Sequence, residues 1–320
     1  MQILKTVRRV PGGLMIVPLL LGALVNTLFP QAIQIGGFTE AMFKTGASAI
    51  LGVFLFCNGA QINIKQAGQP LLKGVVLTFV KFIVGAGIGL LVNMIFGPAG
   101  FFAITPVALI AAITNSNGGL YSALASQYGD STDVGAVSIL SINDGPFFTM
   151  IALGATGIAN IPFIALVATI VPIVLGFILG NLDEELRDFL APGTSLLIPF
   201  FAFPLGAALD FRQLLVAGLP GILLGLLCTL TTGFGGFYAM KLMKAKNPAV
   251  GAAIGTTAGN AVGTPAALLA VGAITDAVSA SATAQIAAAI IVTAIVCPML
   301  VNFLNARQGG GRMNTGQVDV

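Results

Sequence analysis

Ten long apolar runs divide this chain, and they limit its fold more than any other feature of the sequence. A helix needs about 20 apolar residues to cross a bilayer. Only 8% of the residues are charged, against about 25% in soluble domains, so the sequence predicts an all-α membrane protein with ten transmembrane helices. The runs cover residues 11–29, 43–62, 72–96, 101–126, 134–156, 161–180, 193–209, 214–240, 248–273 and 281–304.

Lysine and arginine residues are distributed unevenly between the two sides that these runs imply. With the N-terminus inside, eleven cations face the cytoplasm, and two, Lys44 and Arg212, face outward. This positive-inside pattern predicts that both termini are cytoplasmic. The net charge of +3 adds nothing to this pattern, and the sequence has no basic patch of the kind that binds nucleic acid.

The two halves of the sequence resemble each other when one is shifted by roughly 143–147 positions: residues 54–60 align with 201–207, and Asn117 aligns with Asn260. Each half holds five runs, and an odd number turns the second half over in the membrane. Such inverted repeats are typical of secondary transporters, whose sites lie near the midplane. The sequence therefore predicts a first repeat at 1–156, an inverted repeat at 157–306 and a disordered tail at 307–320.

The fourth and ninth runs are interrupted at matching places, where Thr, Asn and Gly replace apolar residues at 111–121 and 255–265. Half-helix N-termini at such breaks favour an anionic group, and Asn and Thr side chains suit hydroxyls. A small hydroxylated organic anion is the predicted substrate, although close helix packing also accounts for Gly and Ala there. The candidate substrate-binding residues are Thr114, Asn115, Ser116, Asn117, Gly118, Thr257 and Asn260.

Asp144 is the only carboxylate deep inside an apolar run. A charge at the bilayer centre costs at least about 2.5–3.5 kcal/mol, so such an acid is a functional hypothesis by default. The chain has no histidine, and any proton relay must use a carboxylate. Ser141 and Asn143 lie in the same polar stretch of the fifth run as Asp144 and are further candidates for substrate binding. Pro146 loosens the helix there. A buried acid satisfied by neighbouring Ser, Asn or Lys is the alternative.

Other polar residues within or beside the runs have simpler interpretations. Lys81, about eight residues inside the third run, either neutralises Asp144 or extends to the interface, and the second is favoured. Asp133 and Asp276 stand where helices are predicted to begin and are interpreted as N-terminal caps. The three cysteines have spacings that suit neither disulfides nor a metal site, and no cofactor is predicted.

Three segments of the sequence resemble the bacterial 2-keto-3-deoxygluconate permease family. They are Val-Pro-Gly-Gly at 10–13, the interrupted segment 111–121, and Leu-Ser-Ile-Asn-Asp-Gly-Pro at 140–146. The resemblance extends from about residue 3 to 305. It implies proton-driven uptake of 2-keto-3-deoxygluconate, a sugar acid, across the inner membrane, with that acid, protons and lipids as partners.

The broader fold is similar to that of the bile-acid sodium symporter and arsenite transporter superfamily. This resemblance implies two inverted five-helix repeats, with spans 1, 2, 6 and 7 in a panel and the others in a core. Broken helices 4 and 9 would cross within the core. Sodium-coupled members have an acid near the break in the ninth span, and this chain has Asn260 there, which favours protons.

The sequence hypothesis is an alternating-access symporter in which Asp144 couples proton movement to transport. Sodium-coupled symport of another small organic anion is one alternative, a passive channel is another, and an integral membrane enzyme is a third. The enzyme is disfavoured because the runs hold no histidine and no acid pair for acid–base catalysis. The oligomeric state stays open.

Overall fold

A computed structural model describes residues 2–9, 13–63, 68–143, 145–208 and 218–308 of the chain. Within these ranges the chain is helical, and its one β-type pairing is an isolated bridge between Phe101 and Ile104. Asp144 lies outside the described residues, and so do Arg212 and the tail 309–320. The Ser141 side chain is likewise outside the description.

The described helices of the first half are short on either side of one long helix, α5. They are α1 (Ile3–Arg9), α2 (Gly13–Leu28), α3 (Gly37–Glu40), α4 (Ala47–Gln61), α5 (Gln69–Phe96), α6 (Pro106–Thr114), α7 (Gly118–Tyr128), α8 (Ser131–Gly135), α9 (Val137–Leu140) and α10 (Pro146–Ala155). A π-helical segment, Ala41–Thr45, and 3₁₀ segments at Pro30–Ile33, Gly97–Ala99 and Ser141–Asn143 connect some of them.

The described helices of the second half include the longest one, α17. They are α11 (Phe163–Leu182), α12 (Glu184–Leu190), α13 (Gly193–Leu196), α14 (Ile198–Gly206), α15 (Gly218–Leu242), α16 (Thr264–Ala270) and α17 (Asp276–Arg307). Two 3₁₀ segments, Pro248–Ile254 and Gly259–Gly263, precede α16.

Several of these helices are long and apolar enough to cross a membrane. Five described segments qualify singly: Gln69–Ala99, Phe163–Leu182, Glu184–Gly206, Gly218–Leu242 and Asp276–Arg307. The pair Gly37–Thr45 and Ala47–Gln61, bent by 68°, makes a sixth if it is taken as one span. The fourth and ninth predicted runs do not qualify because each is divided into short helices. The chain is therefore a multi-pass membrane protein, while the count of ten spans stays a prediction.

Helices α2 and α14 touch through their backbones. A Cβ atom placed on Gly22 would overlap the carbonyl oxygen of Phe203, and one on Gly206 would overlap that of Leu19. Glycine is required at such close approaches because any side chain would separate the helices.

Helices α4 and α11 repeat this packing. A Cβ atom on Gly176 would overlap the carbonyl oxygen of Phe56, and one on Gly59 would overlap that of Ile173. Phe56 and Gly59 of α4 stand 147 positions before Phe203 and Gly206 of α14. Ile173 and Gly176 of α11 stand 154 positions after Leu19 and Gly22 of α2. The two helix pairs are thus packed by the same pattern of contacts.

The interrupted segments lie at the centre of the other helices. Every residue of α6 is buried, and so is every residue from 249 to 258. Helix α5 packs on α6, where Gly85 leaves room for the methyl group of Thr114. Helix α17 packs along α15, where Gly221 and Gly225 leave room for its side chains. Non-helical backbone at membrane depth is tolerated where protein surrounds it, as it does here.

Candidate substrate and coupling site

The break in the fourth run separates α6 from α7. Helix α6 ends at Thr114, and the next residue, Asn115, is extended, with φ −101° and ψ 137°. Asn117 caps α7, because its side-chain oxygen accepts the N–H of Leu120 at 2.9 Å. Asn is among the preferred N-cap residues, so this interruption follows from local propensity. The N-terminus of α7 is half-buried at Gly118 and exposed at Gly119.

The break in the ninth run separates the segment Pro248–Ile254 from the segment Gly259–Gly263. Between them, the Thr257 N–H donates to the Thr293 hydroxyl of α17 at 3.0 Å. Thr257 also donates its own hydroxyl to the sulfur of Cys228 at 3.5 Å. Side chains of neighbouring helices therefore satisfy backbone groups that a continuous helix would pair internally.

Thr256 joins the two breaks. Its hydroxyl accepts the backbone N–H of Asn117 at 2.9 Å, and its carbonyl oxygen accepts the ammonium group of Lys81 at 2.6 Å. The residue is completely buried. The sequence analysis selected Thr257 but not Thr256, because the contact that distinguishes Thr256 is with Asn117, 139 positions away.

Lys81 does not extend to the membrane interface, and the interpretation favoured from the sequence was wrong. Its exposed fraction is 0%, and its ammonium group lies 3.8 Å from the sulfur of Cys228. The reason is the break in the ninth run, which places the carbonyl oxygen of Thr256 within reach of α5. The other suggestion, that Lys81 neutralises Asp144, lies outside the described residues.

Thr114 and Asn115 are fully engaged within the protein. The Asn115 amide nitrogen donates to the Ala111 carbonyl oxygen at 2.9 Å and to the Thr149 hydroxyl at 3.0 Å. Its amide oxygen accepts the Gly145 N–H at 3.2 Å. The Thr114 hydroxyl lies 2.7 Å from that of Thr149. These contacts tie the break to α10.

Ser116 and Asn143 form the next contact. The Asn143 amide oxygen accepts both the N–H and the hydroxyl of Ser116, at 3.3 and 3.1 Å. The Asn143 amide nitrogen is buried and has no hydrogen-bond partner. Asn143 and Gly145 are the two chain neighbours of Asp144, and each bonds to a residue of the break in the fourth run.

Two further buried polar groups lack partners in the ninth run. They are the amide nitrogen of Asn260 and the hydroxyl of Thr264. Asn260 lies in the segment Gly259–Gly263, which faces the glycine-packed helices: Gly259 is close to Met15 of α2 and Gly263 to Leu51 of α4. A buried donor without a partner costs about 1–3 kcal/mol, and native proteins keep few of them. These groups are therefore candidates for contact with a ligand.

A cleft of about 440 Å³ opens between the glycine-packed helices and the helices that follow the break. Asn26 and Leu205 line one wall, and Ala266, Ser279 and Thr283 line the other. Leu205 also lies 3.8 Å from where a Cβ atom of Gly263 would be, so the cleft extends toward the break in the ninth run.

A separate charged cluster lies at one end of α5. The Lys73 ammonium group donates to Asp133 at 2.5 Å and to Thr132 at 2.7 Å, and it lies 3.7 Å from Asp130. The Thr132 hydroxyl bond, helped by Lys73, lowers the pKa of Asp130 to about 2. Lys246 lies 3.7 Å from Asp130, so the start of α5 and the segment after α15 share this end.

The predicted helix caps are corrected here. Asp130, not Asp133, is the N-cap of α8, and Asp133 closes a capping box as the third helical residue. Thr275, not Asp276, is the N-cap of α17. The sequence predicted where these helices begin to within a few residues. It did not identify the capping residue, because Ser, Thr and Asp are all good N-caps.

The fold and the site can be compared with known proteins. A family model described as 2-keto-3-deoxygluconate permease matches residues 4–310. The chain belongs to the 2-keto-3-deoxygluconate permease family. The resemblance stated from the sequence is thereby confirmed. Membership in a family of permeases makes the chain a transporter and not an enzyme.

Individual relatives in the 2-keto-3-deoxygluconate permease family match over nearly their whole length. The 2-keto-3-deoxygluconate permease 1 of Salmonella typhimurium is 54% identical over 308 residues, which cover 96% of this chain and 97% of that protein. The 2-keto-3-deoxygluconate permease of Bacillus subtilis is 41% identical over 305 residues, covering 93% and 92%.

A solved structure of a sodium proton antiporter from Methanocaldococcus jannaschii at pH 8 is similar in fold. The TM-score is 0.50 and the identity 18%, with 92% of this chain and 90% of that chain covered. At this identity the likeness shows the fold alone.

Proposed function

We propose that this protein is a proton-coupled symporter that imports 2-keto-3-deoxygluconate by alternating access. The observation that carries the proposal is the pair of buried amide donors, on Asn143 and Asn260, that have no partner in the protein. One adjoins the break in the fourth run and the other the break in the ninth. A hydroxylated sugar acid would supply the missing acceptors. The names of the relatives support the choice of acid.

The substrate carboxylate would bind at the N-terminal ends of the second half-helices. The N-terminus of α7 begins at Gly118, and the segment Gly259–Gly263 leads into α16. The positive ends of helix dipoles favour an anion. Ser116 and Thr257 lie beside these ends, and their hydroxyls bond to Asn143 and Cys228. The polar groups of Thr114, Asn115 and Asn117 also bond to the protein. All five residues are therefore assigned to holding the breaks in shape.

Asp144 would carry the coupled proton. Both of its chain neighbours bond to the break in the fourth run, which supports its assignment to the site. Ser141 is one helical turn before it in the sequence and stays a candidate for substrate binding. Moving an anion inward against the membrane potential costs about 2.3 kcal/mol per 100 mV. One proton carried with the substrate would cancel that charge and leave the pH gradient to drive uptake.

The proposed architecture is a pair of inverted five-helix repeats at 1–156 and 157–306, followed by a cytoplasmic tail at 307–320. The matched glycine contacts of α2 with α14 and of α4 with α11 support this symmetry. These four helices would be the panel, and the helices around the breaks the core. The core would move against the panel across the cleft near Asn26.

The protein would reside in the inner membrane with both termini in the cytoplasm. Lys73 and Lys246 share one end of the core, as the positive-inside distribution requires. The Lys73 cluster would then face the cytoplasm and the cleft would open toward the periplasm.

Uptake of labelled 2-keto-3-deoxygluconate into proteoliposomes tests the proposal, with pH and sodium gradients imposed separately. Accumulation driven by an inward pH gradient without sodium is the expected result, and uptake should saturate with substrate. Accumulation that follows the sodium gradient alone would contradict proton coupling. Uptake that does not saturate would indicate a channel.

A further inference from the structure

Lys81 is a buried cation at the crossing of the breaks that proton coupling through Asp144 does not use. Its exposed fraction is 0%, and no carboxylate of the described residues lies within ion-pair distance of it. The ion pairs of Lys73 and Lys246 are with Asp133 and Asp130. A buried ammonium group requires compensation from other groups.

The compensation comes from a carbonyl oxygen of the break in the ninth run, beside a cysteine sulfur that also reaches a carbonyl oxygen at the end of α6. The ammonium group of Lys81 donates to the carbonyl oxygen of Thr256, just beyond the end of the segment Pro248–Ile254. Next to it, the Cys228 sulfur lies 3.6 Å from that oxygen and 3.7 Å from the carbonyl oxygen of Ala112. Ala112 belongs to the last turn of α6, whose carbonyl groups have no partner within the helix.

Carbonyl groups at half-helix ends carry partial negative charge and favour a cation. In transporters with discontinuous helices, such ends and unwound carbonyls coordinate the coupling cation. The crossing thus has two sides of opposite character: the N-terminal ends suit an anion, and the carbonyl ends suit a cation.

We infer that Lys81 is a tethered cation: its ammonium group occupies the position at the carbonyl ends where a free metal cation would bind in a sodium-coupled transporter. The inference rests on the proposed function and deepens it, because it explains how the crossing is kept charge-balanced without sodium. Lys81 stands 147 positions before Cys228, the same offset that separates Gly59 from Gly206. In the proposed repeat, Lys81 of the first half therefore corresponds to Cys228 of the second half, and only Lys81 carries a positive charge.

The inference is tested first on the unchanged protein. Purified protein is melted in detergent in sodium, potassium, ethylammonium or choline chloride at one ionic strength. The tethered ammonium predicts the same melting temperature in every salt and equal uptake with and without sodium. A saturable stabilisation by sodium, or uptake that sodium stimulates severalfold, overturns it. This result does not depend on the folding of any variant.

Two variants then test the role of the Lys81 ammonium group. Lys81→Met keeps the length of the side chain and removes the charge, and uptake should fall by about tenfold to a hundredfold, the effect of losing a charged hydrogen bond. Lys81→Ala leaves a cavity, and sodium or ethylammonium should raise both its melting temperature and its uptake, while choline should not. Lys241→Ala, an exposed lysine of α15, is the matched control and should behave as the wild type.

Wild-type uptake by Lys81→Met overturns the inference, and so does a folded Lys81→Ala protein that none of these cations stabilises. The melting measurements separate this failure from a failure of the proposed function. If the unchanged protein takes up no 2-keto-3-deoxygluconate, the proposed function fails, yet rescue of the melting temperature of Lys81→Ala by small cations still supports the tethered cation.

Discussion

Asn117 donates its backbone N–H to the hydroxyl of Thr256 over 2.9 Å, so the breaks of two separate spans are hydrogen-bonded to each other. Asn117 also caps α7, and Thr256 also holds the ammonium group of Lys81. A displacement at one break therefore acts directly on the other. We expect the two broken spans to move as one unit during transport.

Replacing Asp144 with Asn is expected to abolish accumulation driven by a pH gradient, because an amide cannot release a proton. Exchange of labelled for unlabelled substrate should persist, since exchange needs no net proton movement. Proteoliposome uptake and counterflow measure the two activities. Asp188→Asn, at an exposed acid of α12, is the control and should keep both. Accumulation by the Asp144→Asn protein would exclude the proposed proton role.

Thr256→Val and Thr256→Ser separate the hydroxyl from the shape of the side chain. Valine leaves the half-buried N–H of Asn117 without its partner, which should lower stability by about 1 kcal/mol. Serine keeps the hydroxyl and should stay close to the wild type. Thermal unfolding in detergent measures the difference. Equal melting of the Val and Ser variants would show that the bond between the breaks contributes little.

Asn260→Ala should mainly weaken substrate binding, whereas Asn115→Ala should mainly lower stability. The Asn260 amide nitrogen has no protein partner, so its loss should leave melting nearly unchanged and raise KM by about tenfold or more. Asn115 makes bonds to Ala111, Thr149 and Gly145, and its loss should destabilise the fold by about 1–3 kcal/mol. Uptake kinetics and melting with and without substrate measure both effects. Unchanged KM in Asn260→Ala would remove that residue from the site.

Gly176→Ala should destabilise the protein, because the added methyl group would overlap the carbonyl oxygen of Phe56. Gly87→Ala is the matched control in α5, where nothing lies within 4 Å of the new Cβ atom. Alanine in that helix should be neutral or stabilise by about 1 kcal/mol. Yield of folded protein and melting temperature give the comparison. A tolerated Gly176→Ala would mean that α4 and α11 do not need backbone contact.

The lowered pKa of Asp130 makes the stability of the protein depend on pH at acidic values. Its folded pKa, about 2, lies below the ordinary value of 3.8, so its contribution is present above pH 4 and disappears as the pH falls toward 2. Solvent screening limits the contribution to about 1 kcal/mol. The difference in stability between wild type and Asp130→Asn should be constant between pH 5 and 7 and shrink below about pH 4. A difference that grows on acidification would contradict this.

The interruptions of the fold could be predicted from the sequence because their causes are local. Asn117 and Gly118 provide a cap and a weak helix former within an apolar run, and Gly255 and Gly259 are weak helix formers in the ninth. The presence of several long apolar helices follows from hydrophobic composition for a similar reason.

The contacts across the breaks could not be predicted, because they depend on which helices meet. Lys81 was expected at the interface since a long side chain near a helix end usually reaches water. Its actual partner, Thr256, is 175 positions away. Whether an amide such as that of Asn115 faces a substrate or the protein is likewise decided by neighbours distant in sequence.

The glycine contacts between α2 and α14, and between α4 and α11, restrict how this molecule can change shape. Sliding either pair by one residue would drive a side chain into a carbonyl oxygen, so each pair is locked in register. Conformational freedom is left to the boundary that side chains fill, along the cleft beside Leu205 and Ala266.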